Sequence, residues 1–235
     1  MTPQPLQPAA VARLIDHTLL RADALPAEIE KLCREALHYS FAAVCVNSVY
    51  VPLVARLLRG SSPAVCSVAG FPLGAMLAEA KLREAELALA AGACEIDMVI
   101  HVGALKAGED AAVAADIRGI AGVCRSAGAL CKVILETALL TDEEKRRACL
   151  LARDAGAAFV KTSTGFGPGG ATPADVRLLR ETVGPAMGVK ASGGVRSLDD
   201  LLQMVAAGAT RIGASAGVKI VEEARTRYAA AGGPR

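Results

Sequence analysis

The sequence predicts a (β/α)8 TIM barrel: a closed, eight-stranded parallel sheet wrapped by helices. Three observations carry the prediction. Short apolar, β-rich runs recur along all 235 residues, about eight of them. Segments with helical periodicity fill the intervals between them. The runs are near-continuously apolar, as strands are when helices cover both faces of a parallel sheet. Eight such units in a chain of this length suit a closed barrel near its smallest size. A doubly wound open sheet is the structural alternative, but it normally shows a Gly-rich nucleotide turn after its first strand. Ile15-Asp16-His17-Thr18-Leu19-Leu20 is no such turn.

The expected strands are Leu14–Leu19, Ala42–Asn47, Ala64–Gly70, Cys94–Ile100, Cys131–Thr137, Phe159–Ser163, Gly188–Ser192 and Thr210–Ala214. The expected helices are Pro26–His38, Val49–Leu58, Ala78–Ala91, Asp110–Ala127, Asp142–Ala155, Pro173–Val183, Leu198–Ala207 and Val218–Ala230. Their boundaries carry chemistry of their own. Thr172 precedes Pro173 and Asp175, which gives an N-cap hydroxyl, a proline in the first turn and an early acid. Ser197 followed by Asp199 and Asp200 repeats that logic against the helix dipole. Ala-Gly-Ala recurs around Gly92, Gly128, Gly156 and Gly208, each time between a helical stretch and a strand-like run. Glycine there supplies the left-handed residue that ends a helix. No linker divides the chain, so residues 1–235 form one domain, with 1–10 and 229–235 expected to be flexible ends.

Composition excludes several classes of function. Hydrophobic residues make up 53% and charged ones 21%, which rules out intrinsic disorder. The net charge is +2, without the basic excess of a nucleic-acid-binding face. Aromatics at 3% and the absence of Trp remove a base-stacking platform. Mean hydropathy is high, +0.38, yet no apolar run approaches the roughly 18 residues of a membrane helix. The Pro/Gln-rich start is not a signal peptide. Seven cysteines with no CxxC spacing read as free thiols in a reduced, cytoplasmic protein. His17, His38 and His101 form no zinc pattern, so no metal is expected.

The informative feature is charge inside the strands. The chain has eight lysines against eighteen arginines, and Lys132, Lys161 and Lys190 fall within apolar strand runs. Lys is almost never fully buried without a partner. Asp16, Glu95, Asp97 and Glu136 occupy comparable places. Residues two apart on a strand share a face, so Glu95 and Asp97 point together, as do Lys132 and Glu136. Two readings compete: a structural ion-pair network, and an active site. A pure cation anchor could equally be Arg, which this chain favours, whereas Lys matters when a free amine is required. An ordinary lysine is neutral only about once in 2,500 at pH 7, and a second ammonium nearby with partial desolvation can raise that fraction. Lys161 and Lys190, on consecutive strands, are placed to be such a pair, with Asp97 available to pass protons.

Gly/Ser turns follow the last strands. Ser192-Gly193-Gly194-Val195-Arg196-Ser197 opens one helix and Arg211-Ile212-Gly213-Ala214-Ser215 ends the last strand. Loops at these two positions of a barrel commonly cradle a phosphate through backbone N–H groups. Gly167-Pro168-Gly169-Gly170 reads either as a loop closing over a ligand or as a simple flexible connection.

Phe159-Val160-Lys161-Thr162-Ser163-Thr164-Gly165-Phe166 and Val189-Lys190-Ala191-Ser192-Gly193-Gly194-Val195-Arg196 resemble the two signature strands of the deoxyribose-phosphate aldolase family. Leu14–Thr18, Val44–Asn47, Glu95–Ile100 and Lys132–Thr137 support the resemblance, which runs from about residue 12 to about 220. It implies a metal-free, cofactor-free class I aldolase, a lyase of carbohydrate catabolism. The enzyme would cleave 2-deoxy-D-ribose 5-phosphate reversibly into D-glyceraldehyde 3-phosphate and acetaldehyde, with a homodimer expected. Carried over position by position, Lys161 is the Schiff-base lysine, Lys190 the lysine that favours its neutral form, and Asp97 the proton-relay acid. Thr18, Gly165, Gly193, Gly194, Gly213 and Ser215 match positions of the sugar-phosphate site. Asp16, Cys45 and Lys132 match polar positions near the reacting centre. Phe166 stands where longer members carry another lysine, and Ala216 where they carry a second serine. Tyr228 lies too far before the end of the sequence to be assigned the role of a terminal tyrosine. Two rivals remain at this point: a related aldolase with a different donor, and a catalytically silent phosphosugar-binding barrel.

Overall fold

A computed structural model describes residues 6–232. Of the expected flexible ends, residues 1–5 and 233–235 lie outside the described residues, and helices cover residues 8–10 and 229–230. Pro8 opens α1 (Pro8–Ala12), and the last helix runs on to Ala230. Val11 and Ala12 are buried, and α1 packs against that last helix. Proline is well suited to a first helical turn.

Eight parallel strands close into a barrel in chain order. They are β1 (Ile15–Leu19), β2 (Ala43–Val46), β3 (Ala64–Ala69), β4 (Glu95–Val99), β5 (Leu130–Ile134), β6 (Phe159–Lys161), β7 (Gly188–Ser192) and β8 (Arg211–Ala214). The ring is sealed where β1 pairs with β8, with Ile15 opposite Ile212 and Asp16 opposite Gly213. The outer helices are α2 (Pro26–Tyr39), α3 (Val51–Leu57), α4 (Ala78–Ala90), α5 (Val102–Lys106), α6 (Asp110–Ser126), α7 (Asp142–Asp154), α8 (Pro173–Val183), α9 (Leu198–Ala206) and α10 (Gly217–Ala230). The five-residue α5 was not foreseen, being too short to show a period. It is started by His101, whose Nδ1 accepts from the Ala104 N–H at 3.0 Å.

The caps behave as their sequences predict. Thr172 Oγ1 accepts from Asp175 N at 3.1 Å, and Ser197 Oγ from Asp200 N at 3.2 Å. Each Ala-Gly-Ala glycine has a positive φ, from 66° at Gly128 to 111° at Gly208. None of the described helices is long and apolar enough to cross a membrane.

Alternation along the strands sorts side chains into two compartments. Outward residues such as Ile96, Met98, Val133, Val160, Val189 and Ile212 join the helices in the main hydrophobic core. His17 also faces outward, bonded to Glu35 at 2.7 Å. Inside the barrel, the β2–β3 side is filled by Ala43, Cys45, Cys66 and Val68. The remaining interior is filled by charge.

Candidate active site

Seven ionisable side chains from six strands form one connected network inside the barrel. Asp16 comes from β1, Glu95 and Asp97 from β4, Lys132 from β5, Lys161 from β6, Lys190 from β7 and Arg211 from β8. Lys161, Lys190 and Arg211 are successive register partners, so three cations stand side by side on adjacent strands. The carboxylates that hold them there project from β1 and β4.

Asp97 is the hub. Its Oδ2 accepts from Lys161 and from Lys190, each at 2.7 Å, and its Oδ1 accepts from Lys132 at 2.6 Å. Lys190 also donates to Asp16 Oδ2, and Lys132 lies 2.7 Å from Glu95 Oε2. Arg211 joins the far side, with its guanidinium 2.7 Å from Asp16 Oδ1 and 3.2 Å from Glu95 Oε2.

Burial works against charge on Asp16, Asp97, Lys132, Lys190 and Arg211, and the partners decide the outcome. Burial alone would lift the Asp97 carboxyl, but Lys132, Lys161 and Lys190 hold it well below the usual carboxylate range. Asp16 is opposed in the same way by burial, and Lys190, Lys132 and Arg211 bring it down to about 2. Burial likewise disfavours the ammonium of Lys190, yet Asp16 and Asp97 outweigh it and keep that lysine charged above its ordinary range. Lys132 is held up similarly against burial, by Asp97 and then Cys66, Asp16 and Glu95.

Above this network opens a pocket of about 440 Å3. Thr18, Gly165, Gly193, Gly194, Gly213 and Ser215, all expected at the sugar-phosphate site, line it together with Lys161. Gly193 and Gly194 have φ of 87° and 84°, conformations in which a side chain would be strained. The loop 167–170 is anchored: Ala171 N donates to the carbonyls of Ser192 and Gly193, and a Cβ on Gly170 would lie 2.3 Å from Gly193 O. Phe166 is 55% exposed and also lines the pocket, meeting Phe71 edge-on. Tyr228 does not line the pocket. It borders a separate groove with Pro8 and Arg13.

One expectation needs correction, that Lys132 and Glu136 point together. Asp16 and Lys132, expected near the reacting centre, stand in the network that holds Lys161; they and Cys45 are fully buried and do not line the pocket. Lys132 and Glu136 do not share a face. β5 ends at Ile134, and Glu136 takes a left-handed backbone, φ 58° and ψ 62°, that turns its carboxylate to Thr164 instead. The amino groups of Lys161 and Lys190 converge on a shared carboxylate oxygen.

Sequence reasoning passed over Arg211 and gave Glu95 no site role. The available signal was the same one that marked the lysines: a charge opening an apolar run. Cys66 was also missed. Its Sγ lies 3.3 Å from both Lys132 Nζ and Asp97 Oδ1, and burial pushes its thiol well up.

Among the described residues, the donor sets with metal-like geometry are Cys45–Cys66–Asp97 and Asp16–Cys66–Glu95. In each, the carboxylates are already bonded to lysine or arginine, and an added dication would face those cations at close range. The residues do not fit a resident metal.

A family model described as DeoC/LacD family aldolase matches residues 10–223. A deoxyribose-phosphate aldolase of Geobacillus sp. is 58% identical over 212 residues, covering 90% of this chain and 95% of that protein. The Bacillus subtilis deoxyribose-phosphate aldolase is 57% identical over 213 residues, 91% of this chain and 95% of its own. Among solved structures, a tetrameric deoxyribose phosphate aldolase from Aeropyrum pernix superposes with a TM-score of 0.88 at 40% identity, over 94% of this chain and 93% of that one.

Proposed function

The chain belongs to the DeoC/LacD family of aldolases, and we propose that it is a deoxyribose-phosphate aldolase whose Schiff-base nucleophile is Lys161. Its reaction is the reversible cleavage of 2-deoxy-D-ribose 5-phosphate to D-glyceraldehyde 3-phosphate and acetaldehyde. One observation carries the choice of lysine: of the three that meet at Asp97, only Lys161 lines the pocket.

Charge balance supplies the chemistry. With every member ionised, the network holds four cations, Lys132, Lys161, Lys190 and Arg211, against three carboxylates, Asp16, Glu95 and Asp97. Releasing the proton of Lys161 to the pocket leaves the buried remainder neutral, and a neutral amine is what a carbonyl carbon requires. Lys190 contributes by staying charged. Asp97 orients the Lys161 nitrogen, and its three ammonium neighbours ensure that a proton it accepts is passed on rather than kept.

Neutral Lys161 attacks the aldehyde carbon of the open-chain sugar, and loss of water gives an iminium. The C3 hydroxyl gives up its proton, the C2–C3 bond breaks, and its electron pair enters the iminium to form an enamine as glyceraldehyde 3-phosphate leaves. Protonation of the enamine carbon and hydrolysis release acetaldehyde and restore Lys161. Gly193, Gly194, Gly213 and Ser215 hold the phosphate end, at the turns before α9 and α10, and that remote binding positions the reacting end. Thr18 lies at the same rim.

No metal takes part in this scheme, since lysine ammonium groups already occupy the carboxylates that could bind one. Borohydride with acetaldehyde is expected to leave a small stable adduct on the peptide containing Lys161 in wild type and none in Lys161→Ala. Acetaldehyde release from deoxyribose 5-phosphate is expected to persist in excess chelator. Trapping on Lys132 or Lys190 instead would overturn the assignment. Release of pyruvate or dihydroxyacetone phosphate from other substrates, without acetaldehyde, would favour a different donor.

A further inference from the structure

Among the described residues, Glu136 is the one buried acid of the barrel mouth that stands outside the charge network. It is 4% exposed and sits in left-handed backbone, where a side-chain-bearing residue is uncommon. Such conformations persist when the surroundings over-determine them and gather at functional sites. The local cause is a slip in the β5–β6 ladder. Ile134 stands opposite Lys161, and Leu135 N donates to Lys161 O at 2.9 Å, as a regular parallel ladder requires. Thr137 N should then reach the carbonyl of residue 163, but it donates to Thr162 O at 3.0 Å. One residue of the β5 chain is therefore extra, a bulge centred on Glu136, and bulges re-aim side chains beside active sites.

The re-aimed carboxylate reaches across to the segment that follows Lys161. Glu136 Oε2 accepts from Thr164 N at 3.3 Å and from Thr164 Oγ1, and Thr164 Oγ1 in turn accepts from Phe166 N at 3.1 Å. The peptides on either side of Glu136 hold the carbonyls of Lys161 and Thr162, and its side chain holds residue 164. Lys161 and the pocket wall formed by Thr164, Gly165 and Phe166 are thus fixed from one point.

We infer that Glu136 is a positioning residue: the bulge and its carboxylate together set the reach of the Lys161 nitrogen into the pocket. The inference rests on the aldolase reading above. Glu136 makes no hydrogen bond to the turns that follow β7 and β8, where the phosphate end would sit. Its loss therefore acts on the chemical step and leaves phosphate binding intact. The other carboxylate oxygen, Oε1, has no hydrogen-bond partner among the described residues, so an amide can replace the acid without breaking a bond.

The test uses three variants of the whole protein. Glu136→Gly keeps the left-handed backbone and removes the clamp. Gly167→Ala acts from the exposed side, because a Cβ there would lie 2.9 Å from the Glu136 carboxyl carbon. Glu136→Gln is the rescue. The first two are expected to lower kcat about ten- to a hundredfold with KM for deoxyribose 5-phosphate within about twofold, and to slow borohydride trapping at Lys161 in proportion. Glu136→Gln is expected to recover kcat to within about threefold of wild type. If kcat is unchanged in both Glu136→Gly and Gly167→Ala, the inference is overturned. It is equally overturned if KM worsens in step with kcat, or if Gln is as poor as Gly. Absence of any trapping in wild type would overturn the aldolase reading instead, and is seen in a separate lane of the same experiment.

Discussion

Lys161 and Lys190 donate to a single oxygen, Asp97 Oδ2, each at 2.7 Å. Two ammonium groups so placed cannot ignore one another, and the carboxylate between them offsets only part of their repulsion. The nucleophile thus sits in a field whose sign depends on how many neighbours remain charged.

Removing one neighbour tests this. Lys190→Leu takes a permanent cation away and leaves the network with three cations and three carboxylates even when Lys161 is protonated. The surplus positive charge that favours loss of the Lys161 proton disappears. The pH–rate profile of imine formation is expected to move to higher pH by about one unit or more, with at least a roughly tenfold loss of rate at pH 7. An unmoved profile would contradict the electrostatic role.

Acid should disassemble the network from its carboxylates. Asp16 titrates at about 2 in the folded protein against 3.8 ordinarily, and Asp97 is also depressed. The unfolded chain therefore binds more protons between these values. The stabilisation they provide is complete above about pH 4 and is lost as pH falls toward 2. Urea midpoints measured at pH 7, 5, 3.5 and 2.5 are expected to show little contribution from these groups between the first two and a steep decline over the last two. A midpoint unchanged at pH 2.5 would refute it.

Arg211 is predicted to matter for stability more than for binding. Its guanidinium bridges Asp16 and Glu95 and lies 5.5 Å over the Phe159 ring. Arg211→Met takes one partner from each of these two buried carboxylates and leaves them to their lysine ammonium groups, at a cost of about 3 kcal/mol. For a chain of this size that corresponds to a Tm lower by roughly 6–12 °C. A Tm within a degree or two of wild type would show the bridge to be dispensable.

Gly193→Ala separates phosphate binding from chemistry. The position has φ of 87°, and a Cβ would come within 2.9 Å of the Gly170 Cα. The turn must shift, so KM for deoxyribose 5-phosphate is expected to rise several-fold. Trapping of unphosphorylated acetaldehyde on Lys161 should continue at close to the wild-type rate. Equal losses in both assays would place Gly193 in the chemistry instead.

The barrel was legible because each unit declares itself locally: an apolar run, an Ala-Gly-Ala stop, a Thr or Ser cap. The lysines were legible because ammonium groups in apolar strands need an explanation. What escaped was pairing. Asp16 meets Arg211 across 195 positions of sequence, and nothing in either segment names the other. Glu136 was misplaced for a different reason. The two-residue period was carried past the last true strand residue, and a bulge of a single residue leaves no mark in a hydrophobicity pattern.

Closure of the ring by β1 and β8 has a consequence for biosynthesis. The N-terminal strand leaves the ribosome carrying a carboxylate whose guanidinium partner is translated nearly last. Until β8 emerges, the nascent polypeptide holds an open sheet edge at β1, and its acid lacks the guanidinium that completes its partners. Shielding by a chaperone, or by the exit vestibule itself, would serve this protein longest at its earliest-made strand.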